Sequence, residues 1–218
     1  MQGGDSRTTP SVGDGSGLPD RDWLDSLGLS LGDWTLTPEV LLNLCREIVT
    51  SGLEHVVELG SGTSTAALVA LGRDFGLPRL VVSFDQSDEW LDRTRSLLPV
   101  GGPELRLVHA PLTEAPGRKA AWYDEQVLLA SAPARIDLLV VDGPVGEPGL
   151  PVREPAPAVL RERLSARSRV ILDDCSRPEE AATLERWTSG GGPLAGWGAA
   201  PIDAGRAVLL SPQAEERT

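Results

Sequence analysis

The chain has few cysteines, few basic residues and no long apolar run. Only two of its 218 residues are cysteines, Cys45 and Cys175, and their separation matches no metal-ligand motif. Such a pair favours free buried thiols over a disulfide framework, which fits a reducing cytoplasm. No apolar run approaches the roughly 20 residues of a membrane span, and the N-terminus lacks the apolar core of a secretory signal. We therefore expect a cytoplasmic protein with no membrane partner.

Basic residues are outnumbered, with 20 Lys and Arg against 32 Asp and Glu and a net charge of −12. A surface of this sign repels phosphate backbones, which argues against a nucleic-acid partner. Hydrophobic residues make up 40% of the chain, as in globular proteins. The length suits one domain with tails. We predict a disordered tail over 1–17, one domain over 18–211 and a short tail over 212–218.

Between the tails, short apolar runs alternate with segments of helical periodicity. The apolar runs predict buried strands over 55–59, 79–85, 105–110, 136–142 and 168–174. The periodic segments predict helices over 38–49, 63–75, 87–98, 120–130, 157–164 and 177–187. Thr37 and Pro38 are typical of a helix start, and Ser87 is a second candidate cap. Residues 196–211 predict two strands joined by a tight Asp-Ala-Gly turn.

This alternation predicts an α/β fold with a Rossmann-like, doubly wound and mostly parallel sheet. Continuously apolar strands indicate a sheet covered on both faces, and the last hairpin adds an antiparallel strand. In such sheets, ligands bind beyond the carboxyl ends of the strands. The informative residues are therefore those at strand ends, namely Glu58–Gly62, Asp85, His109–Ala110, Asp142 and Asp173–Asp174.

A glycine-containing loop follows the first predicted strand and precedes a helix. Gly60 and Gly62 allow the backbone to approach a ligand closely. A nicotinamide-binding loop would need a third glycine where this chain has Thr65. Glu58 can accept a hydrogen bond or ion pair from the ammonium group of a ligand. Asp85, at the end of the second strand, can accept ribose hydroxyls or cap the next helix, and the backbone of Ala110 is positioned for an adenine edge.

Motifs in a fixed order resemble those of the class I S-adenosylmethionine-dependent methyltransferases, small-molecule branch, over about residues 34–211. They are Glu58–Thr65 (ELGSGTST), His109–Leu112 (HAPL), Trp122–Asp124 (WYD), Val141–Pro144 (VDGP) and Asp173–Arg177 (DDCSR). The resemblance implies a seven-stranded sheet with a reversed last hairpin. It implies that Glu58 and the glycine loop hold the methionine end of the cofactor, while Asp85 holds the ribose. The predicted cofactor-binding residues are Glu58, Gly60, Ser61, Gly62, Ser64, Asp85, Gln86, Ala110 and Asp142.

Three carboxylates follow the fourth and fifth predicted strands. Because neighbouring parallel strands lie about 4.8 Å apart, Asp142, Asp173 and Asp174 should converge, and they repel one another unless cations or protons neutralise them. Hard oxygen ligands suit Mg²⁺ or Ca²⁺. The pattern is similar to the metal-dependent O-methyltransferases of the catechol and macrolide-sugar types. That resemblance implies a Mg²⁺ ion that chelates two substrate oxygens and lowers a hydroxyl pKa. Alternatively, Asp173 or Asp174 caps a helix beside Arg177.

One position departs from the catechol-type pattern. Those enzymes carry a lysine base three residues after the strand-four aspartate, where this chain has Val145. Proton removal then depends on the metal or another group, or is not needed. The predicted catalytic residues are Asp142, Asp174 and His109, although His109 could instead pack or contact adenine. The predicted substrate-binding residues are Trp34, Trp122, Tyr123 and Arg153, although Trp122 could instead pack in a helix. Arg153 could bind an acidic substrate group or Asp142.

The resemblance therefore implies a small-molecule O-methyltransferase of specialised metabolism, assisted by Mg²⁺. N-methylation is an alternative, because an amine needs neither a metal nor a strong base. A nicotinamide-dependent oxidoreductase is a second alternative, opposed by Thr65 and by the lack of a Tyr-x-x-x-Lys pair. A non-catalytic binding protein is a third, opposed by the three aspartates. A homodimer is the general expectation for a soluble assembly, although no surface pattern supports it.

Overall fold

The computed structural model describes residues 17–32, 34–146 and 148–213. The helices are α1 (Arg21–Ser26), α2 (Pro38–Ser51), α3 (Thr63–Phe75), α4 (Asp88–Leu97), α5 (Glu125–Ser131), α6 (Ala156–Val159) and α7 (Pro178–Thr188). The strands are β1 (His55–Leu59), β2 (Leu80–Asp85), β3 (Glu104–His109), β4 (Leu112–Thr113), β5 (Trp122–Tyr123), β6 (Ile136–Val141), β7 (Leu164–Leu172), β8 (Trp197–Ile202) and β9 (Ala207–Pro212). The predicted tails lie outside the described residues, except for residues 17, 212 and 213.

Seven strands form one sheet in the order β3-β2-β1-β6-β7-β9-β8. The pairs from β3 to β7 are parallel, and β9 runs antiparallel to both of its neighbours. The predicted fold class and the reversed last hairpin are therefore confirmed. The chain builds outward from β1 to β3 and then returns to place β6 on the other side of β1. The carboxyl ends of β1 and β6 thus form the switch point of the sheet.

Both faces of the sheet are covered, which explains the continuous apolar runs in the sequence. Alternate residues of a strand point to opposite faces. Val56 and Leu138 belong to the buried cluster that includes residues of α1, α2 and α3. Val57 and Leu139 belong to the opposite cluster, which includes residues of α5, α6 and α7. No helix among the described residues is long and apolar enough to cross a membrane.

Local capping groups set the helix starts that the sequence predicts. The Thr37 hydroxyl accepts a hydrogen bond from the Val40 N–H, directly before Pro38 in α2. The Ser87 hydroxyl does the same for the Trp90 N–H at the start of α4. Both predicted caps are confirmed. Helix α1, which was not predicted, begins after Asp20.

Two predicted helices are shorter in the structure. The helix predicted over 120–130 begins only at Glu125, because Trp122 and Tyr123 form β5 and pair antiparallel with β4. Asp124 then caps α5 by accepting hydrogen bonds from two backbone N–H groups. The helix predicted over 157–164 is limited to the short α6 and a 3₁₀ turn, because β7 already begins at Leu164.

The loops that follow β1 and β6 cross with their backbones in contact. Gly60 has φ +94°, and a Cβ atom there would lie 2.9 Å from the Gly143 nitrogen and 3.2 Å from the Asp142 carbonyl carbon. The Gly143 N–H donates to the Leu59 carbonyl at 2.6 Å. Real Cβ atoms essentially never approach backbone this closely, so Gly60 is required for the packing of the two loops.

We therefore expect Gly60→Ala to lower the free energy of unfolding by at least about 2 kcal/mol more than Gly76→Ala does. Gly76 also has positive φ, +78°, but a Cβ there meets no atom within 4 Å. Gly76→Ala should therefore lower the free energy of unfolding by only about 1 kcal/mol, the cost of a side chain in the left-handed conformation. Urea denaturation of both variants checks the difference. If both variants lose the same free energy of unfolding, the contact between the two loops is not what requires a glycine at position 60.

Candidate active site

A cavity of about 920 Å³ lies at the carboxyl ends of the strands. Its walls include residues 60–63 after β1, 85–87 after β2, 142–146 after β6 and 173–174 after β7. This is the switch point described above, where ligands bind in sheets of this kind. The volume lies in the range of small-molecule and cofactor sites.

Glu58 lies beneath the glycine loop rather than on the cavity wall. Its side chain is fully buried, and its Oε2 accepts hydrogen bonds from the Thr65 hydroxyl at 2.5 Å and the Ser83 hydroxyl at 2.6 Å. Oε1 has no hydrogen-bond partner. Burial raises the pKa of Glu58 to about 7, although the surrounding hydroxyl groups oppose the shift. The carboxyl therefore exchanges between its protonated and charged forms near neutral pH in the free protein.

Asp85 ends β2 on the cavity wall and connects two loops. Its Oδ2 accepts hydrogen bonds from the Ser61 N–H at 2.9 Å and the Ser61 hydroxyl at 3.0 Å. Its Oδ1 accepts from the Ser87 N–H at 3.0 Å. The Trp90 indole N–H donates to the Ser61 carbonyl at 2.6 Å, which fixes the same loop from the other side. A carboxylate has about four acceptor positions, so Asp85 keeps capacity for a ligand hydroxyl.

Of the other predicted cofactor-binding residues, some line the cavity and others are buried in the protein interior. Gln86 is on the wall, and its side-chain amide makes two hydrogen bonds with the Val145 backbone, at 2.9 and 3.1 Å. It thereby joins the end of β2 to the loop after β6. Ala110 is fully buried, and its N–H donates to the Asp85 carbonyl at 2.8 Å. Ser64 is also buried, and neither Ala110 nor Ser64 lines the cavity.

The three predicted carboxylates converge at one edge of the cavity. Asp142, Asp173 and Asp174 each offer an oxygen atom, and these atoms lie within 4.8 Å of one another. The Asp142 side chain is the most exposed of the three at 24%, against 10% for Asp174 and 2% for Asp173. Asp174 has φ +60°, a left-handed conformation that is costly for a residue with a side chain.

The guanidinium group of Arg153 lies within this cluster. Its Nη2 donates to Asp142 Oδ1 at 3.3 Å and to Asp174 Oδ2 at 3.0 Å, and its Nη1 donates to the Asp173 carbonyl at 3.0 Å. The sequence left two roles open for Arg153, and the contact with Asp142 is the one that the structure contains. The Arg153 side chain is only 5% exposed, so it is part of the cluster rather than of the surface.

Burial and neighbouring charge compete within the cluster. Burial raises the pKa of Asp173 to about 7, with further upward contributions from Asp142 and Asp174. Burial also raises the pKa of Asp142, although the positive charge of Arg153 lowers it in part. For Arg153, burial lowers the pKa, but Asp142, Asp174 and Glu180 outweigh this effect and the net shift is upward. The guanidinium therefore stays charged.

The cluster meets one requirement of a Mg²⁺ site and fails another. Its donors are hard carboxylate oxygens, and Asp173 Oδ1 is buried without a hydrogen-bond partner. However, Asp142 Oδ1 and Asp174 Oδ2 both accept hydrogen bonds from the same Arg153 nitrogen. A divalent cation placed among these oxygens would also lie beside a permanent positive charge. The residues present therefore do not fit the predicted ion.

The remaining predicted residues are not all brought to the cavity. Trp34, 71% exposed, and Tyr123, buried, both line it. Trp122 is fully buried against Tyr123, with ring centroids 5.1 Å apart, and does not line the cavity. His109 also lies off the wall, with its Nε2 3.1 Å from the Gln86 carbonyl and its Nδ1 3.4 Å from Asp88.

Arg206 was not predicted from the sequence, although its guanidinium lies 3.7 Å from Asp174 and 3.9 Å from Asp173. This residue follows the turn between β8 and β9. It reaches the cluster because β9 lies antiparallel beside β7. No local sequence signal marks it. The predicted hairpin was the one feature from which its approach could have been inferred.

Comparison with known proteins shows likeness in structure but not in sequence. No family model matches the chain, and no curated protein matches it. A putative caffeoyl-CoA O-methyltransferase from Staphylococcus aureus is 8% identical with a TM-score of 0.59, over 89% of this chain and 90% of that chain. An SAH-bound methyltransferase from Podospora anserina is 14% identical with a TM-score of 0.57, over 88% and 86%.

An O-methyltransferase from Bacillus cereus, solved with SAH, is also 14% identical, with a TM-score of 0.55 over 88% of this chain and 92% of that chain. At these identities, the likeness establishes the fold alone. The chain therefore has the Rossmann-like fold of these methyltransferases, with the seven-stranded sheet and reversed hairpin that the sequence motifs imply.

Proposed function

We propose that the protein is an S-adenosylmethionine-dependent methyltransferase that methylates a hydroxyl group of a small molecule. The observation that carries the proposal is the arrangement at the switch point, where Asp85 and the glycine loop 60–62 border one cavity. The likeness in fold to the methyltransferases named above supports it. The oxygen acceptor is proposed because two of those three proteins are named as O-methyltransferases.

The chain has groups that suit the parts of the cofactor. Residues 60–62 would hold the methionine end, and the free acceptor capacity of Asp85 would bind the ribose hydroxyls. Glu58 lies under the loop with an unpaired Oε1, so its charge would act on the ammonium group. Bound S-adenosylmethionine would supply an activated methyl group. The protein would mainly orient this group and the acceptor, which is a large part of catalysis in such transfers.

The acceptor would occupy the part of the cavity near Trp34 and Asp142. Asp142 is the most exposed carboxylate of the cluster, so it would bind the acceptor hydroxyl and accept its proton. A role in specialised metabolism stays a prediction of the sequence resemblance. Mg²⁺ assistance also stays a prediction of the sequence, and the position of Arg153 opposes it.

N-methylation is a second candidate, favoured by one observation. The lysine base of the catechol-type pattern is replaced by Val145, and an amine nucleophile needs no strong base. The nicotinamide alternative is disfavoured by Thr65, which stands where a nicotinamide-binding loop has its third glycine. A screen of hydroxyl and amine acceptors with labelled cofactor separates the two transfer reactions. A non-catalytic protein would bind cofactor but methylate none of them.

The first test is the binding of S-adenosylhomocysteine to the full chain by calorimetry. We expect Asp85→Asn to weaken binding at least tenfold, because a hydrogen bond to a charged group contributes about 1.5–3 kcal/mol. Asp92→Asn is the matched control, since Asp92 is 75% exposed on α4 and does not line the cavity. Chemical denaturation checks that both variants fold. Absence of binding to the wild-type protein would contradict the proposed function.

The second test uses the raised pKa of Glu58, about 7. A cationic ammonium group favours the carboxylate form, so ligand binding should release protons near pH 7. We therefore expect the affinity for S-adenosylhomocysteine to rise from pH 6 to pH 8. In Glu58→Gln this rise should be absent. Calorimetry in two buffers of different ionisation enthalpy measures the released protons. Equal proton release by Glu58→Gln and the wild-type protein would show that Glu58 does not sense the ligand.

A further inference from the structure

The carboxylate cluster beside the cavity contains its own buried cation. The Nη2 atom of Arg153 bonds Asp142 Oδ1 and Asp174 Oδ2, and Nη1 bonds the Asp173 carbonyl. One guanidinium therefore connects the ends of β6 and β7. Because Nη2 donates to Asp142 Oδ1 and to Asp174 Oδ2, it occupies an acceptor position on two of the three carboxylates that would bind a metal ion.

Two further guanidinium groups approach from the outside of the cluster. Arg177 Nη1 lies 3.0 Å from Asp174 Oδ2, and Arg206 Nη2 lies 3.7 Å from Asp174 Oδ1. Glu180 adds a fourth carboxylate, 3.9 Å from Arg153 Nε. Four carboxylates and three guanidiniums leave a net charge of −1 when all are ionised. The mutual repulsion that led the sequence analysis to a metal is thus already largely compensated.

We infer that Arg153 takes the place of a divalent cation in this cluster, and that the site works without a metal. Arginine keeps its proton at every relevant pH, so the compensation is permanent. Its planar fork bonds two carboxylates in fixed directions, which an exchangeable ion with bound waters does not do. Arg153 is thus a positioning residue that holds Asp142 toward the cavity.

The inference rests on the proposed function where it concerns the acceptor. Without a metal, the acceptor is not bound by chelation of two neighbouring oxygens. A single hydroxyl or amine that hydrogen-bonds the exposed edge of Asp142 is then enough. The acceptor class therefore includes molecules with an isolated hydroxyl or amine and is not restricted to catechols or vicinal diols.

The test is a titration of the full-length protein with Mn²⁺, in which the paramagnetic signal reports the free ion. We expect no saturable site in the wild-type protein up to about 1 mM, the range of weak divalent sites. Arg153→Met should gain one saturable site, at least tenfold tighter, that disappears when Asp173→Asn is added. Mn²⁺ should also raise the melting temperature of Arg153→Met but not that of the wild-type protein. Arg186→Met, which removes an arginine paired with Glu154 at the surface, should behave as wild type.

Two results would overturn the inference. The first is saturable Mn²⁺ binding by the wild-type protein that Asp173→Asn abolishes. The second is a folded Arg153→Met, judged by circular dichroism, that gains no site. If Arg153→Met does not fold, Arg153→Gln replaces it, and that variant should gain the site because it removes the charge but keeps a hydrogen-bonding side chain. A separate titration with S-adenosylhomocysteine in the presence of EDTA tests cofactor binding without a metal. Its failure would count against the proposed function and leave the Mn²⁺ result valid.

Discussion

The contact between the loops after β1 and β6 is the constraint on which the rest of the site depends. Gly60 and Gly143 meet backbone to backbone, closer than any side chain would permit. Because of this contact, the glycine loop and the Asp142 loop share one cavity. Two hydrogen bonds between the Gln86 side chain and the Val145 backbone then join the end of β2 to the loop after β6. A site built at a crossing of backbones tolerates little change at those two glycines, while its rim, which includes the exposed Trp34, has no such restriction.

Asp85 and Glu58, two carboxylates beside the glycine loop, differ in role because their surroundings differ. Asp85 receives two backbone N–H groups and a hydroxyl, and it faces the cavity. Glu58 receives hydroxyls on one oxygen only and is fully buried, so its pKa rises to about 7. One residue is therefore suited to hydrogen-bond a neutral part of a ligand, and the other to respond to a positive charge. A residue's position at a strand end does not decide this difference, because it depends on the neighbours that folding supplies.

The sheet could be predicted from the sequence, because its pattern is local. Apolar runs, Thr37-Pro38 and Ser87 each act on their own segment, and the parallel topology follows from their order. The elements around Trp122 could not be predicted in this way. Its WYD segment has helical periodicity, but Trp122 and Tyr123 pair with β4, a tertiary preference that no window of residues contains. His109 shows the same limit, since its place at a strand end predicts a position near the cavity but not the direction of the ring.

Of the features of the site, the positive charges around the carboxylate cluster were the hardest to predict from the sequence. They also decide which ligands the cluster can bind. Strand order alone brings Asp142, Asp173 and Asp174 together, so the convergence of negative charge follows from the sequence. The compensating cations come from a loop after β6, the start of α7 and the turn before β9. Arg177 shares the DDCSR motif with Asp173 and Asp174, but no motif connects the three arginines. In a chain with a net charge of −12 and 20 basic residues, three arginines converge on one edge of the cavity. Burying a guanidinium costs several kcal/mol unless its partners are well placed. The bonds of Arg153 to Asp142 and Asp174 are placed in this way, and they fix the acidic groups in position, which is also what the proposed acceptor site requires.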